Sequence, residues 1–103
     1  TAVLKDDTFS EGMIAHDVSI AFTKNNLSDS AKTFAALALK YGNSIKDDFV
    51  ISYAYKAFYE YYKSKNDWPN AAINAQQSLN YILQTSSKYD ACFVYCNLAE
   101  SAL

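Results

Sequence analysis

The apolar positions between Asp48 and Leu83 predict two antiparallel helices joined by a short turn. In the first half, apolar residues recur at i, i+4, i+7 and i+11, which places them on one face of an α-helix. These residues are Ile51, Tyr55, Phe58 and Tyr62, with Val50, Ala54, Ala57 and Tyr61 in a second row beside them. A helix with so wide an apolar surface is expected to be covered on more than one side. We therefore predict a central helix over Asp48–Lys65.

A second helix is predicted over Trp68–Gln84. Asp67 is a favourable N-cap residue, and Pro69 falls in the first helical turn, where its missing N–H is no loss. A face of small residues follows at i, i+4 and i+7, formed by Ala71, Ala75 and Ser78. Small side chains allow two helix axes to approach closely. This face is therefore predicted to pack against the aromatic face of the preceding helix.

An earlier helix is predicted from about Phe9 to Asn25. Thr8 and Glu11 have the spacing of a capping box, which marks the start of a helix. Residues 1–7 show no apolar periodicity and are expected to fray. The predicted core row of this helix is Ala15, Val18 and Phe22, with Ile14 and Ala21 beside it.

Two more helices bring the prediction to five. Ser28 is the predicted N-cap of one, and Gly42 is predicted to end it as the C′ residue, leaving residues 43–47 as a connection. Its small-residue row is Ala31, Ala35 and Ala38. The fifth helix is predicted over Lys88–Leu103, with Ala91, Tyr95, Leu98 and Ala102 in its core row.

The predicted helices repeat at an offset of 40 residues. The equivalent positions are Ala15, Tyr55 and Tyr95; Val18, Phe58 and Leu98; Phe22 and Tyr62; and, in the second helices, Ala31, Ala35 and Ala38 with Ala71, Ala75 and Ser78. A period shared by so many core positions indicates a repeat of one helix pair. A helical bundle whose periodicity is accidental is the alternative.

At these positions the chain resembles the tetratricopeptide repeat family. The family pattern is an aromatic residue, a Leu three residues later, then a small residue, and another aromatic residue three further on. The run Tyr95-Cys96-Asn97-Leu98-Ala99 has this opening. The central helix follows it with Tyr55, Phe58, Tyr59 and Tyr62, where Tyr59 replaces the small residue. The period of 40 residues exceeds the usual one of about 34, as in longer-repeat variants of the family.

The resemblance implies a single all-α domain over residues 1–103. Its antiparallel helix pairs would stack as a short right-handed superhelix of five helices. The first repeat would span about residues 8–42 and the second about residues 48–85. Residues 88–103 would form a partial third repeat or a capping helix.

Composition limits the class of function. The chain has 103 residues, a hydrophobic content of 50%, one Pro and two Gly, which favours long regular elements in one domain. The net charge is −2 and the nine Lys and Arg are scattered, so nucleic acid is not an expected partner. No apolar run approaches the roughly 18 residues of a membrane span, so we expect no membrane insertion. The sequence also opens without a signal-peptide pattern.

Candidate chemistry is sparse. Cys92 and Cys96 are four residues apart on a predicted helix, a spacing that does not suit a disulfide, so free thiols are expected. With no signal peptide, they favour a cytoplasmic location, although a start at Thr1 and not Met is typical of a piece of a longer protein. His16 is the single histidine, and Asp17 is expected to project from a different helix face.

The sequence contains no phosphate loop, nucleophile elbow or zinc-ligand spacing. We therefore predict no catalytic residues, no metal site and no cofactor. The alternative in this class is a small enzymatic or ligand-binding bundle that uses His16 and the tyrosines.

The resemblance implies a non-catalytic protein-interaction module. A peptide or partner helix would lie in a shallow concave groove built from the first helix of each pair. The matching positions are Met13, His16, Ile20, Tyr53, Lys56, Glu60, Phe93 and Cys96. This mostly apolar set predicts an amphipathic or apolar protein partner. An assembly or spacer segment of a larger multidomain protein is the alternative.

A second surface is predicted on the fourth helix. It is an uncharged row rich in hydrogen-bonding groups, formed by Asn70, Asn74, Gln77, Tyr81 and Gln84. We interpret it as a solvated face or as a contact with another domain or subunit.

Overall fold

The computed structural model describes residues 2–85, with side chains described from Asp7 onward. This part of the chain forms the helices α1 (Ala2–Lys24), α2 (Ser28–Ile45), α3 (Asp48–Ser64) and α4 (Trp68–Ile82). The links between them are only two or three residues long, which makes each helix antiparallel to the next. The all-α prediction is thus confirmed for the described residues, and the predicted fifth helix over Lys88–Leu103 lies outside them.

The helices form two pairs that pack on each other. α1 packs on α2, α3 packs on α4, α2 packs on α3, and α1 also contacts α3. The last contact brings the rings of Phe9 and Phe49, which are 40 residues apart, to a centroid distance of 6.0 Å. Equivalent positions of the two first helices therefore lie side by side, and this arrangement positions the candidate site.

Aspartate caps start the helices of the second pair. Asp47 Oδ1 accepts hydrogen bonds from the backbone N–H groups of Phe49 (2.9 Å) and Val50 (3.2 Å). Asp67 Oδ1 accepts one from the N–H of Asn70 at 3.3 Å. These bonds satisfy N–H groups that have no partner inside a helix. The predicted start at Asp48 and the predicted cap Asp67 are confirmed, and the predicted ends lie within two residues of those observed.

The predicted start of the first helix near Phe9 is wrong. α1 already begins at Ala2, so the expected fraying of residues 1–7 and the Thr8 cap do not describe residues 2–8. The segment before Phe9 contains no Gly or Pro, so its backbone hydrogen bonds can extend the helix on the N-terminal side of Thr8. The absence of apolar periodicity indicates how a segment packs, not whether its backbone is helical.

The predicted end of the second helix at Gly42 is also wrong. α2 continues to Ile45, and the residue that ends it in a left-handed conformation is Lys46 (φ 52°), not Gly42. Gly42 is buried inside the helix, where an added Cβ would lie 2.9 Å from Ile51 Cγ1 and 3.0 Å from the Ile51 nitrogen. The glycine therefore allows α2 to approach α3 closely. Similarly, the N-cap of α2 is Leu27, without a side-chain cap, and not Ser28.

The small-residue rows are confirmed as helix contacts. All six predicted residues are buried, namely Ala31, Ala35, Ala38, Ala71, Ala75 and Ser78. In the second pair, Ala71 and Ala75 pack against Tyr59, whose side chain is fully buried. Phe58, which belongs to the predicted core row, is only half-buried. The small residues of α4 thus make room for the tyrosine that occupies the small position of the repeat pattern.

Ile14 was predicted beside the core of the first helix, but 60% of its surface is exposed. Its equivalent in the second pair, Ala54, is fully buried and belongs to a cluster with Ala15 and Ala38. The difference arises because α3 has α2 on this side, whereas the corresponding side of α1 is uncovered among the described residues.

Candidate functional site

The two first helices border a surface depression of about 290 Å³, here named the α1–α3 cleft. It is lined by His16, Asp17, Ile20, Lys24, Lys56 and Glu60. Four of these residues were predicted to line a groove, namely His16 and Ile20 on α1 and Lys56 and Glu60 on α3. The structure thus brings together side chains that are about 40 residues apart in the sequence.

Helix geometry explains why these side chains share one face. Residues 16, 20 and 24 succeed one another at i, i+4 and i+8 on α1, and residues 56 and 60 do so on α3. Residues 16 and 56, and residues 20 and 60, are equivalent positions at the 40-residue offset. Because α1 and α3 lie side by side, the two rows border the same cleft.

The other predicted groove residues have different placements. Met13 is half-buried on α1, one turn before His16. Tyr53 forms aromatic contacts, with ring centroids 4.8 Å from Phe49 and 5.0 Å from His16. The last two, Phe93 and Cys96, lie outside the described residues. Tyr53 therefore contacts the lining residue His16 without lining the cleft itself.

As a groove-lining residue His16 was expected to be exposed, and this is wrong, because only 6% of its surface is exposed. The imidazole packs edge-to-face against Tyr53, with an interplanar angle of 85°. The expectation that Asp17 projects away from it is wrong as well, since His16 Nδ1 and Asp17 Oδ1 are 2.9 Å apart. The flexible carboxylate of the exposed Asp17 reaches back to the ring of the preceding residue, which helix-face spacing alone does not reveal.

The hydrogen bond to Asp17 indicates which nitrogen of the His16 ring carries the proton. A carboxylate only accepts, so Nδ1 carries the proton of the neutral imidazole and donates it. The other nitrogen, Nε2, is buried and has no hydrogen-bond partner among the described residues. Burial lowers the pKa of His16 below its ordinary value of 6.5, and the nearby Lys56 charge lowers it further, while the Asp17 hydrogen bond and charge oppose this shift.

The α1–α3 cleft combines an aliphatic side chain with charges of both signs. Ile20 lines it together with two lysines and two carboxylates. The ammonium of Lys56 lies 5.7 Å from the centroid of the Tyr53 ring, within the range of a cation–π interaction. The cleft can therefore contact an apolar side chain and pair with charges of either sign around it.

A larger depression of about 490 Å³ lies on the second pair. It is lined by Asp48, Gln77, Asn80, Tyr81 and Gln84, which include three members of the predicted uncharged row. Tyr81 stacks on Tyr55 with a centroid distance of 5.7 Å, and Asn80 accepts a hydrogen bond from Gln76 at 3.0 Å. Among its described lining residues there is no cation and no aliphatic side chain, so it offers fewer kinds of contact than the α1–α3 cleft.

Two cleft residues, Asp17 and Lys24, were missed in the sequence. Lys24 follows Ile20 by one helical turn, so helical spacing from Ile20 would have added Lys24 to the groove residues that the resemblance implies. Asp17 has no such signal, because it enters the cleft only through its contact with His16.

The described residues contain no cluster of three or more His, Cys, Asp or Glu side chains arranged to hold a metal ion. Within residues 2–85, no helix is long and apolar enough to cross a membrane. No family model, curated protein sequence or solved structure matches the chain.

Proposed function

We propose that the chain is a short tetratricopeptide-like array that binds an amphipathic peptide or partner helix in the α1–α3 cleft. The observation that carries the proposal is the convergence of His16, Ile20, Lys56 and Glu60 on one depression. These residues were selected as a groove from their positions in the repeat pattern. The side-by-side contact of Phe9 and Phe49 supports the same repeat geometry.

The chemistry of the cleft favours a protein partner. Ile20 provides an apolar contact, and Lys24, Lys56, Asp17 and Glu60 provide charges in the same lining. An amphipathic helix presents apolar side chains at i, i+3 and i+4 with charged residues beside them. A volume of about 290 Å³ is small, so a few anchoring side chains would enter the cleft while the rest of the partner lies on the surface. Weak affinity is expected from an array of two helix pairs.

Catalysis by His16 receives less support from the same geometry. A general base must reach the proton that it removes. His16 Nδ1 is already bonded to Asp17, and Nε2 is covered by protein. These contacts favour a structural role for the imidazole in the cleft.

The proposal can be tested with a display library of amphipathic peptides about 15 residues long, roughly four helical turns. The affinity of peptides selected on the wild-type protein is then measured for Ile20→Asp, which replaces the aliphatic lining residue with a carboxylate. We expect the affinity to fall by about tenfold or more, because an apolar contact is lost and the new carboxylate does not complement the apolar side chain of the peptide.

Ile14→Asp is the matched control, since Ile14 is on the same helix but exposed and outside the cleft. This variant should keep the wild-type affinity. If Ile20→Asp is folded by circular dichroism and still binds every selected peptide as tightly as Ile14→Asp does, the proposed binding site is wrong.

A further inference from the structure

His16 is the single histidine of the chain and lies against the α1–α3 cleft. Histidine is the side chain whose ordinary titration falls between about pH 5 and pH 8. His16 is therefore the lining residue that we expect to gain a charge as the pH falls through that range.

The position of the free nitrogen decides what protonation does. Because Nδ1 donates its proton to Asp17, the nitrogen that takes a second proton is Nε2. Nε2 is buried and has no hydrogen-bond partner within residues 2–85, and the ring packs against Tyr53. Protonation in place would bury an N–H donor that has no acceptor among the described residues, and it would add a positive charge to a buried ring. Both changes cost free energy. A ring that turned so that Nε2 reached water would avoid this cost.

The charged groups around the ring come from both helices. Asp17 on α1 favours the protonated ring, while Lys56 on α3 disfavours it. Lys24 on α1 and Glu60 on α3 line the same cleft. Asp17 is 76% exposed, so its side chain can follow the ring outward and keep the bond to Nδ1. Movement of the ring would change the contact with Tyr53 and thereby the shape of the cleft.

We propose that the α1–α3 cleft is acid-sensitive, holding its partner near neutral pH and releasing it when one proton from solvent binds Nε2 and displaces the His16 ring. The release rests on the proposed function of the cleft, whereas the displacement of the ring does not. The lowered pKa of His16, caused first by burial, agrees with a ring that resists protonation in its folded position.

The displacement is tested on the protein without a ligand. NMR spectra between about pH 7.5 and pH 5 report the His16 ring signals and the backbone amides of residues 16–24 and 53–60. We expect His16 to titrate with a midpoint below about 6.5, and the amides on both helices to shift with that same midpoint. His16→Gln should abolish the transition, because its amide does not titrate.

Asp17→Asn provides a second variant. It removes the carboxylate that favours the protonated ring, so the midpoint should fall further. A His16 that titrates at its ordinary pKa, or without any change in the amides of 53–60, would overturn the displacement.

Release is tested with one histidine-free peptide selected on the wild-type protein near pH 7.5. Its affinity should fall about fivefold or more at about pH 5.5, within the usual range of coupling between two binding events. In His16→Gln the affinity should stay the same at both pH values. Equal pH dependence in the two proteins overturns the release. If no peptide binds near pH 7.5, the proposed function fails and the release with it, while the ligand-free titration still decides whether the ring is displaced.

Discussion

Ser52 on α3 and Ser78 on α4 exchange hydrogen bonds across the helix interface. Each hydroxyl donates to the other residue's backbone carbonyl at 2.9 Å, and the two hydroxyl oxygens are 3.1 Å apart. Both residues are about 1% exposed, so these bonds form where water does not compete. The first pair has a related contact, in which the buried Ser19 donates to the carbonyl of Ala31 at 2.7 Å. Such bonds fix the position of one helix along the other.

The serine pair predicts a measurable coupling. Ser52→Ala and Ser78→Ala should each lower the free energy of unfolding by about 1 kcal/mol, the usual net contribution of a hydrogen bond. The loss in the double variant should differ from the sum of the single losses, because the two hydroxyls contact each other. Urea unfolding of the four proteins gives the coupling energy. Strictly additive losses would mean that the hydroxyls act independently.

Tyr59 is predicted to contribute more to stability than its neighbour Phe58. Tyr59 is fully buried against Ala71 and Ala75, whereas Phe58 is half-buried. Tyr59→Ala should therefore cost about 3–5 kcal/mol, the range for a large buried aromatic residue, and Phe58→Ala should cost clearly less. Chemical denaturation of both variants compares them directly. A larger loss for Phe58→Ala would contradict the packing described for α3.

The small-residue rows predict that added volume destabilises the protein. Ala71→Leu and Ala35→Leu should each cost about 1–3 kcal/mol, because both alanines are fully buried between helices. Ala36→Leu is the matched control, since Ala36 is exposed on the same helix as Ala35 and should change stability by less than about 0.5 kcal/mol. Thermal melting of the three variants checks the helix phase. A neutral Ala35→Leu would place that face toward solvent.

The buried imidazole predicts acid-sensitive stability. The pKa of His16 is lowered in the folded protein, so the unfolded chain binds the proton first as the pH falls below about 6.5. Stability should be highest above that value and decrease toward the lower pKa of the folded state. Urea midpoints between about pH 7.5 and pH 5 should fall more in the wild-type protein than in His16→Gln. If the urea midpoints fall equally in both proteins, the loss of stability arises from the carboxylates and not from His16.

The sequence predicted those features that depend on spacing along one helix. The 3.6-residue period identified the small faces of α2 and α4, and the Asp-Trp-Pro run from Asp67 marked the start of α4. Beyond a single helix, the period of 40 residues predicted equivalent positions for His16 and Lys56 on neighbouring helices. These properties depend on the backbone geometry of a helix and on which side chains cap it.

Other features depend on which neighbours cover a helix, and sequence spacing could not provide them. Ile14 and Ala54 are equivalent at the 40-residue offset, yet within residues 2–85 only Ala54 has a helix on that side. Glycine is common just beyond the end of a helix, but Gly42 lies inside α2, at a point where the backbone is close to Ile51. The burial of His16 follows from the packing of α1 against α3, so a charged substitution there is expected to destabilise the fold as well as the cleft.

The most direct test of the account is to map a selected amphipathic peptide onto the protein by NMR chemical-shift perturbation near pH 7.5, where His16 is neutral. If the α1–α3 cleft is the binding surface, the largest shifts will fall in residues 13–24 and 53–60, with Ile20 and Lys56 among them. They should be absent from these segments in Ile20→Asp and retained in Ile14→Asp. Shifts concentrated on the uncharged row between Asn70 and Gln84, with the cleft signals unmoved, would contradict the account.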